Sequence, residues 1–204
     1  MITLVTLMAL VAPAPGAAAR AASDPVSRQH LLTLADYVAA LPAMLDPLRI
    51  VLRSPVFAPG GCEDQGVAVR GSSRIQGSVS PEGRRRSVAL IDQHVVRFDS
   101  VREARALVQR YRHFSRRCVG DVRTDDGEGS AVTLKNRAWL PPGIGDESAG
   151  MLIGWVSRGA VDWRRVLATR VGRTVSVLDV SYADIRPPRA GVVAVGELAV
   201  DRLG

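Results

Sequence analysis

The sequence predicts an α+β domain: a central antiparallel sheet with helices packed mainly on one face, and one disulfide. Three observations predict it. The period of the apolar residues switches between two and three-to-four along the chain, the marks of strands and helices. The strand-like segments follow one another through short turns, which makes antiparallel pairing the default. The chain has two cysteines, Cys62 and Cys118, and one of them closes the strongest helical segment.

The segment from Val88 to Cys118 anchors the prediction. Val88 to Phe98 is β-branched and apolar with few breakers, which suits a largely buried strand. Val101, Ala104, Leu107, Val108, Tyr111, Phe114 and Cys118 then recur at three- and four-residue steps, one face of a helix. Arginines and Gln109 fill the other face. Ser100 and Glu103 form a capping-box pair at its start.

The remaining elements follow in order. Ile2 to Val11 is apolar but too short to span a bilayer as a helix. Pro13-Ala14-Pro15-Gly16 and small-x-small patterns from Ala17 to Ala21 come after it, so residues 1–22 read as a signal peptide or an N-terminal apolar segment. The segment lacks a basic residue ahead of Arg20. Residues 23–204 read as a single domain. His30 to Leu41 has an apolar side and predicts a helix ended by Pro42. Met44 to Leu52 is apolar but interrupted by Pro47, and its type stays open. Gly66 to Val79 and Ser87 to Phe98 predict two strands joined through Pro81-Glu82-Gly83. Beyond Cys118, Asp125 to Gly129 is an acidic turn; it lacks the ligand spacing of a calcium loop. Ala131 to Leu140, Met151 to Val156, Val161 to Val171 and Thr174 to Val180 predict strands, and Ala190 to Leu203 a terminal helix.

Composition narrows the function classes. The net charge of +7 favours anionic partners such as lipid headgroups, wall polymers or an acidic protein. Lys135 is the only lysine, and the arginines are scattered, with Arg84-Arg85-Arg86 the longest run. No basic–aromatic interleaving marks a nucleic-acid platform, and no nucleic acid is expected as a partner. In an exported chain, two cysteines pair most simply as a Cys62–Cys118 disulfide, with free thiols the alternative. Two cysteines and three scattered histidines do not make a metal site, and no cofactor motif is present.

Several segments resemble a known family. They are Val95-Val96-Arg97-Phe98-Asp99-Ser100-Val101-Arg102-Glu103-Ala104, the cysteine at the helix end, Gly145-Asp146-Glu147-Ser148, Arg170-Val171-Gly172-Arg173-Thr174-Val175-Ser176-Val177, and the short terminal helix. The chain from Leu31 to Leu203 is similar to the extracellular sensor domain of PknH-type serine/threonine kinases and their secreted or lipoprotein relatives in high-GC Gram-positive bacteria. The resemblance implies a twisted antiparallel sheet, a disulfide tying the helix to the N-terminal part, and a cleft for an extracellular ligand. It carries over no catalytic residues. The chain departs from the kinase sensor in having one cysteine pair instead of two, and it contains no kinase motif.

Three functions are compatible with these features. The first is a secreted or cell-envelope sensor module for an unknown small molecule or envelope component. Its groove is expected at Trp139, Trp155 and Trp163 with Asp146 or Glu147 at the rim; the opposing reading makes the tryptophans core and Asp146 a loop-ordering residue. The second is a hydrolase. Ser115, His94 and Asp92 can be drawn as a trio, but no G-x-S-x-G elbow is present, and no catalytic residue is assigned. The third is an arginine-rich binder of anionic envelope surfaces. The oligomeric state is not legible in the sequence.

Overall fold

The computed structural model describes residues 25–41, 47–52, 55–63, 66–81, 89–126 and 129–204. The expected signal peptide and the Pro81-Glu82-Gly83 connection lie outside them, the latter apart from Pro81. The elements are α1 (Leu34–Ala40), β1 (Pro47–Leu52), β2 (Val56–Pro59), β3 (Gly66–Val69), β4 (Ser73–Pro81), β5 (Ala89–Arg97), α2 (Val101–Arg117), β6 (Gly120–Asp125), β7 (Ala131–Arg137), β8 (Glu147–Ser157), β9 (Ala160–Val171), β10 (Thr174–Ala183) and α3 (Arg189–Asp201). An antiparallel sheet runs β1-β4-β5-β10-β9-β8-β7-β6, and β2 pairs with β3 in a separate ribbon. The α+β class and the antiparallel pairing expected from the sequence are both present.

The helices do not share one face. On one side α2 lays Ala104, Leu107, Val108, Tyr111 and Phe114 against Ala149, Met151, Ile153, Val166, Ala168, Val175 and Val177. On the other, α1 and α3 bring Tyr37, Leu41, Val192, Val195 and Ala199 onto Ile91, Leu152, Leu167, Leu178 and Val180. The physical reason lies in the central strands. Neighbouring residues of β8, β9 and β10 point to opposite faces and are apolar on both, so each face needs cover. Each fully buried aliphatic side chain there contributes about 1.5–3 kcal/mol.

Three local readings are corrected by the same physics. The predicted strand from Gly66 to Val79 breaks at Gly71, whose φ is +61°. A Cβ there would stand 2.4 Å from the Arg97 carbonyl oxygen, so the chain turns where only glycine fits. The first helix starts later than His30. Thr33 caps it by accepting from the Asp36 N–H, and Asp36 accepts in return from the Thr33 N–H at 2.7 Å. Strand β6 went unpredicted because it is half-exposed and short of apolar residues.

The strand-to-helix segment behaves as its pattern predicts. The Ser100 hydroxyl accepts from the Glu103 N–H at 3.2 Å, and the Glu103 carboxylate accepts from the Ser100 N–H at 3.1 Å. Only Val101 leaves the buried stripe, at 42% exposure, as the first residue of the helix. Cys118 caps the far end and is bonded to Cys62. The disulfide fastens α2 to the loop after β2, and the Asn136 side-chain amide donates to the Cys62 carbonyl at 3.0 Å, tying that loop to β7 as well.

Candidate functional site

The five residues expected to line a groove fall in three places. Trp139 and Trp163 are buried on the α3 side. The Trp139 ring packs against Gly150, where a Cβ would stand 2.5 Å from it. Its backbone N–H donates to the Ser115 hydroxyl at 3.1 Å, and that hydroxyl donates to the Trp139 carbonyl at 3.0 Å. The Arg165 guanidinium covers the ring at 4.7 Å, and Arg186 covers Trp163 at 4.5 Å. Burial first, and then the charges of Arg189 and Arg186, push Arg165 down to about 10; it remains a cation at neutral pH. Asp146 and Glu147 stand at the start of β8. Asp146 accepts from Arg170 at 2.9 Å and from the Gly172 N–H at 2.8 Å, and Glu147 accepts from Arg105 at 2.6 Å. These two carboxylates hold the Gly145 loop, the β9–β10 turn and α2 together. Trp155 alone is half-buried on the α2 side. The structure therefore does not bring the five into one groove. Ser115 is buried and occupied by Trp139, so it is not available to His94 as a nucleophile.

A different set of residues converges on the α2 side of the sheet. Cross-strand register sets Gln76 opposite His94, Asp92 opposite Asp179, and Ser181 opposite Arg164. All six point to the same face as the α2-covered Val166 and Val177, beyond the region that α2 itself covers. A cleft of about 340 Å³ opens over all of them but Ser181. Its walls are Val56 and Phe57 of β2 and Tyr111 of α2, and its floor includes Met151, Val166 and Val177. Phe57 is 61% exposed at the rim. A second hollow of about 390 Å³ shares Arg164 and adds Leu90, Trp155, Asp162 and Ser181, so Trp155 stands beside the cleft.

The electrostatics of this cleft run against stability. Asp92 and Asp179 are direct cross-strand neighbours, and like charges in that relation are destabilising. Arg164 clamps Asp179 with its Nε and a terminal nitrogen, as a planar fork suits a carboxylate. Among the described residues Asp92 receives only the neutral amide of Gln76, Nε2 to Oδ1 at 3.1 Å. Two acceptor-capable atoms beside it, Gln76 Oε1 and His94 Nδ1, are buried without a hydrogen-bond partner among the described residues. Burial lowers the His94 pKa from its ordinary 6.5; the Asp92 and Asp179 charges pull the other way and do not offset it. His94 is therefore neutral at pH 7.

This shift has a consequence for folding. Below about pH 6.5 the unfolded chain protonates this histidine while the folded chain resists, so the unfolded state binds more protons. Stability is full above that pH and declines as pH falls through the depressed folded value. His94→Gln is expected to flatten this first, mildly acidic part of the decline. Urea melts at a series of pH values check it; an identical acid limb in the variant would show that His94 titrates normally.

The sequence contained one signal for this cleft: polar residues at two-residue spacing inside apolar strands, Asp92-x-His94 and Asp179-x-Ser181. Which of them meet depends on the order β4-β5-β10-β9, which spacing does not encode. Two other hollows carry different chemistry. One of about 930 Å³ near Val26, Val51 and Ser73 has no carboxylate or histidine among the described residues of its lining. Another, of about 610 Å³, lies over the disulfide and Phe114 and is rimmed by Arg102, Arg105, Arg110 and His113. Among the described residues no helix is long and apolar enough to cross a membrane.

No family model and no curated protein matches the sequence. Among solved structures, the extracellular domain of PknH from Mycobacterium tuberculosis matches with a TM-score of 0.62 and 15% sequence identity. The match covers 88% of this chain and 97% of that one. The chain thus has the fold of the PknH extracellular domain, in keeping with the resemblance carried by its short motifs.

Proposed function

We propose that the chain is an extracytoplasmic, non-catalytic ligand-binding module, a sensor-like domain that is secreted or held at the cell envelope. The ligand site is the cleft between α2, β2 and the sheet, with Gln76, Asp92, His94, Arg164 and Asp179 as its polar residues and Trp155 at its outer edge. The fold likeness and the disulfide support the class and the compartment. One observation carries the site: two facing carboxylates and, among the described residues, two unpaired acceptor-capable atoms are gathered in one concave pocket of the sheet. Folding gains nothing from that arrangement, whereas pockets with a few convergent polar groups are where ligands are held.

The test is a survey of small polar fragments by amide correlation spectra of the oxidised chain. Saturable shifts are expected to cluster on Gln76, Asp92, His94, Arg164 and Asp179. Shifts gathered elsewhere, with this cluster silent, would overturn the assignment.

A second reading rests on the groove above the disulfide. Helix α2 carries Arg102, Arg105, Arg110, Arg112, Arg116 and Arg117 against a single Glu103. Such a surface suits an anionic envelope component, and its binding would weaken steeply with salt. Shifts on Arg102, Arg110 and His113 with vesicles of anionic lipid, lost in high salt, would favour it.

A further inference from the structure

We propose that the cleft recognises its ligand through a protonated primary amine, seated between Asp92, Gln76 and His94. This rests on the reading of the cleft as a ligand site and adds the chemistry of what enters it.

The orientation of Gln76 sets the first requirement. An ionised carboxylate only accepts, so the Gln76 nitrogen must be the atom facing Asp92. Its oxygen then points away, buried and unpaired, on a residue only 9% exposed. That group asks for a donor. His94 adds another in the tautomer protonated at Nε2: Nδ1 is then the acceptor nitrogen, and it has no partner among the described residues. Asp92 supplies a third acceptor, because its second oxygen has no donor and no cation is paired with it among the described residues.

Charge points the same way. Among the described residues the cleft holds two carboxylates against the single guanidinium of Arg164, in a chain whose net charge is +7. An anion would meet Asp92 and Asp179 there. A neutral hydroxyl brings one donor, whereas an ammonium brings three donors and a compact charge. The rings of Tyr111 and Phe57 in the wall also suit a cation. A metal ion fits less well: among the described residues no group of three or more His, Cys, Asp or Glu is placed to hold one. The hollow beside Arg164, with Ser181, Asp162 and the Trp155 ring, offers room and polar contacts for the rest of an amine-bearing ligand, such as a sugar ring.

The experiment compares glucosamine, glucose and N-acetylglucosamine on the oxidised full chain at neutral pH, with 1,4-diaminobutane as an amine lacking a ring. The readouts are the Gln76 side-chain amide and the His94 imidazole resonances. Glucosamine is expected to shift both saturably, and glucose and N-acetylglucosamine to bind about tenfold more weakly or worse, because they leave the buried acceptors and Asp92 unpaired. Asp92→Asn should erase that preference; the comparison of sugars on the parent chain needs no variant. Equal shifts from glucose at the same residues would overturn the amine and leave the cleft standing. Amine-induced shifts confined to residues outside the cleft would overturn both. No saturable shift from either amine would overturn the amine, leaving the fragment survey to decide the cleft.

Discussion

Reduction of the Cys62–Cys118 bond is expected to lower the melting temperature by roughly 10 °C. The two cysteines are 56 residues apart, and the intervening chain includes β3, β4, β5 and α2. In the unfolded chain the bridge removes the freedom of that whole loop, worth about 4 kcal/mol in the chain-entropy model. In the folded chain little changes on reduction, because α2 remains packed on β8, β9 and β10 and Asn136 still holds the Cys62 carbonyl. The loss therefore arises mainly in the unfolded state. Calorimetry with and without reductant measures it, and the paired substitution Cys62→Ala with Cys118→Ala should reproduce it without reductant. An unchanged melting temperature in both would mean that the loop is already constrained in the unfolded chain.

Trp139→Ala is expected to cost about 4 kcal/mol. The ring is buried, lies directly on the Gly150 backbone, and is covered by the Arg165 guanidinium. Deleting it leaves a cavity that Gly150 has no side chain to fill, and it strips a buried cation of the ring that faces it. The backbone bonds to Ser115 survive, so the loop path should persist while the packing fails. Trp155→Ala should cost much less, near 1 kcal/mol, since Trp155 is only half-buried. Urea denaturation of the two variants separates a packing tryptophan from a surface one. Equal losses would contradict this division between the two faces.

The two tryptophans also show what the sequence could and could not reveal. Helix α2 was legible because its buried stripe, capping box and terminal cysteine are all local features. The β9–β10 hairpin was legible for the same reason, through the tight turn at Gly172. The side of the sheet on which each helix lies was not, because central strands that are apolar on both faces look alike from either side. Trp139, Trp155 and Trp163 share a residue type but not an environment, and only the positions of Gly150, Gly154 and α2 separate them. Asp146 and Glu147 were conspicuous for their sequence context, yet Arg170, buried on β9, and Arg105 take them up as structural partners. The cleft residues were the reverse: unremarkable singly, and informative only once β4, β5, β10 and β9 are placed side by side.

The central claim is that the face beyond α2 is kept for recognition at some expense to folding, and Asp92→Asn tests it most directly. The amide retains an acceptor for the Gln76 nitrogen and removes the charge opposite Asp179. If the cleft serves recognition, thermal melting should show stability equal to the parent's or higher by up to about 1 kcal/mol. A fall comparable with that of Trp139→Ala would make Asp92 a structural carboxylate and contradict the account.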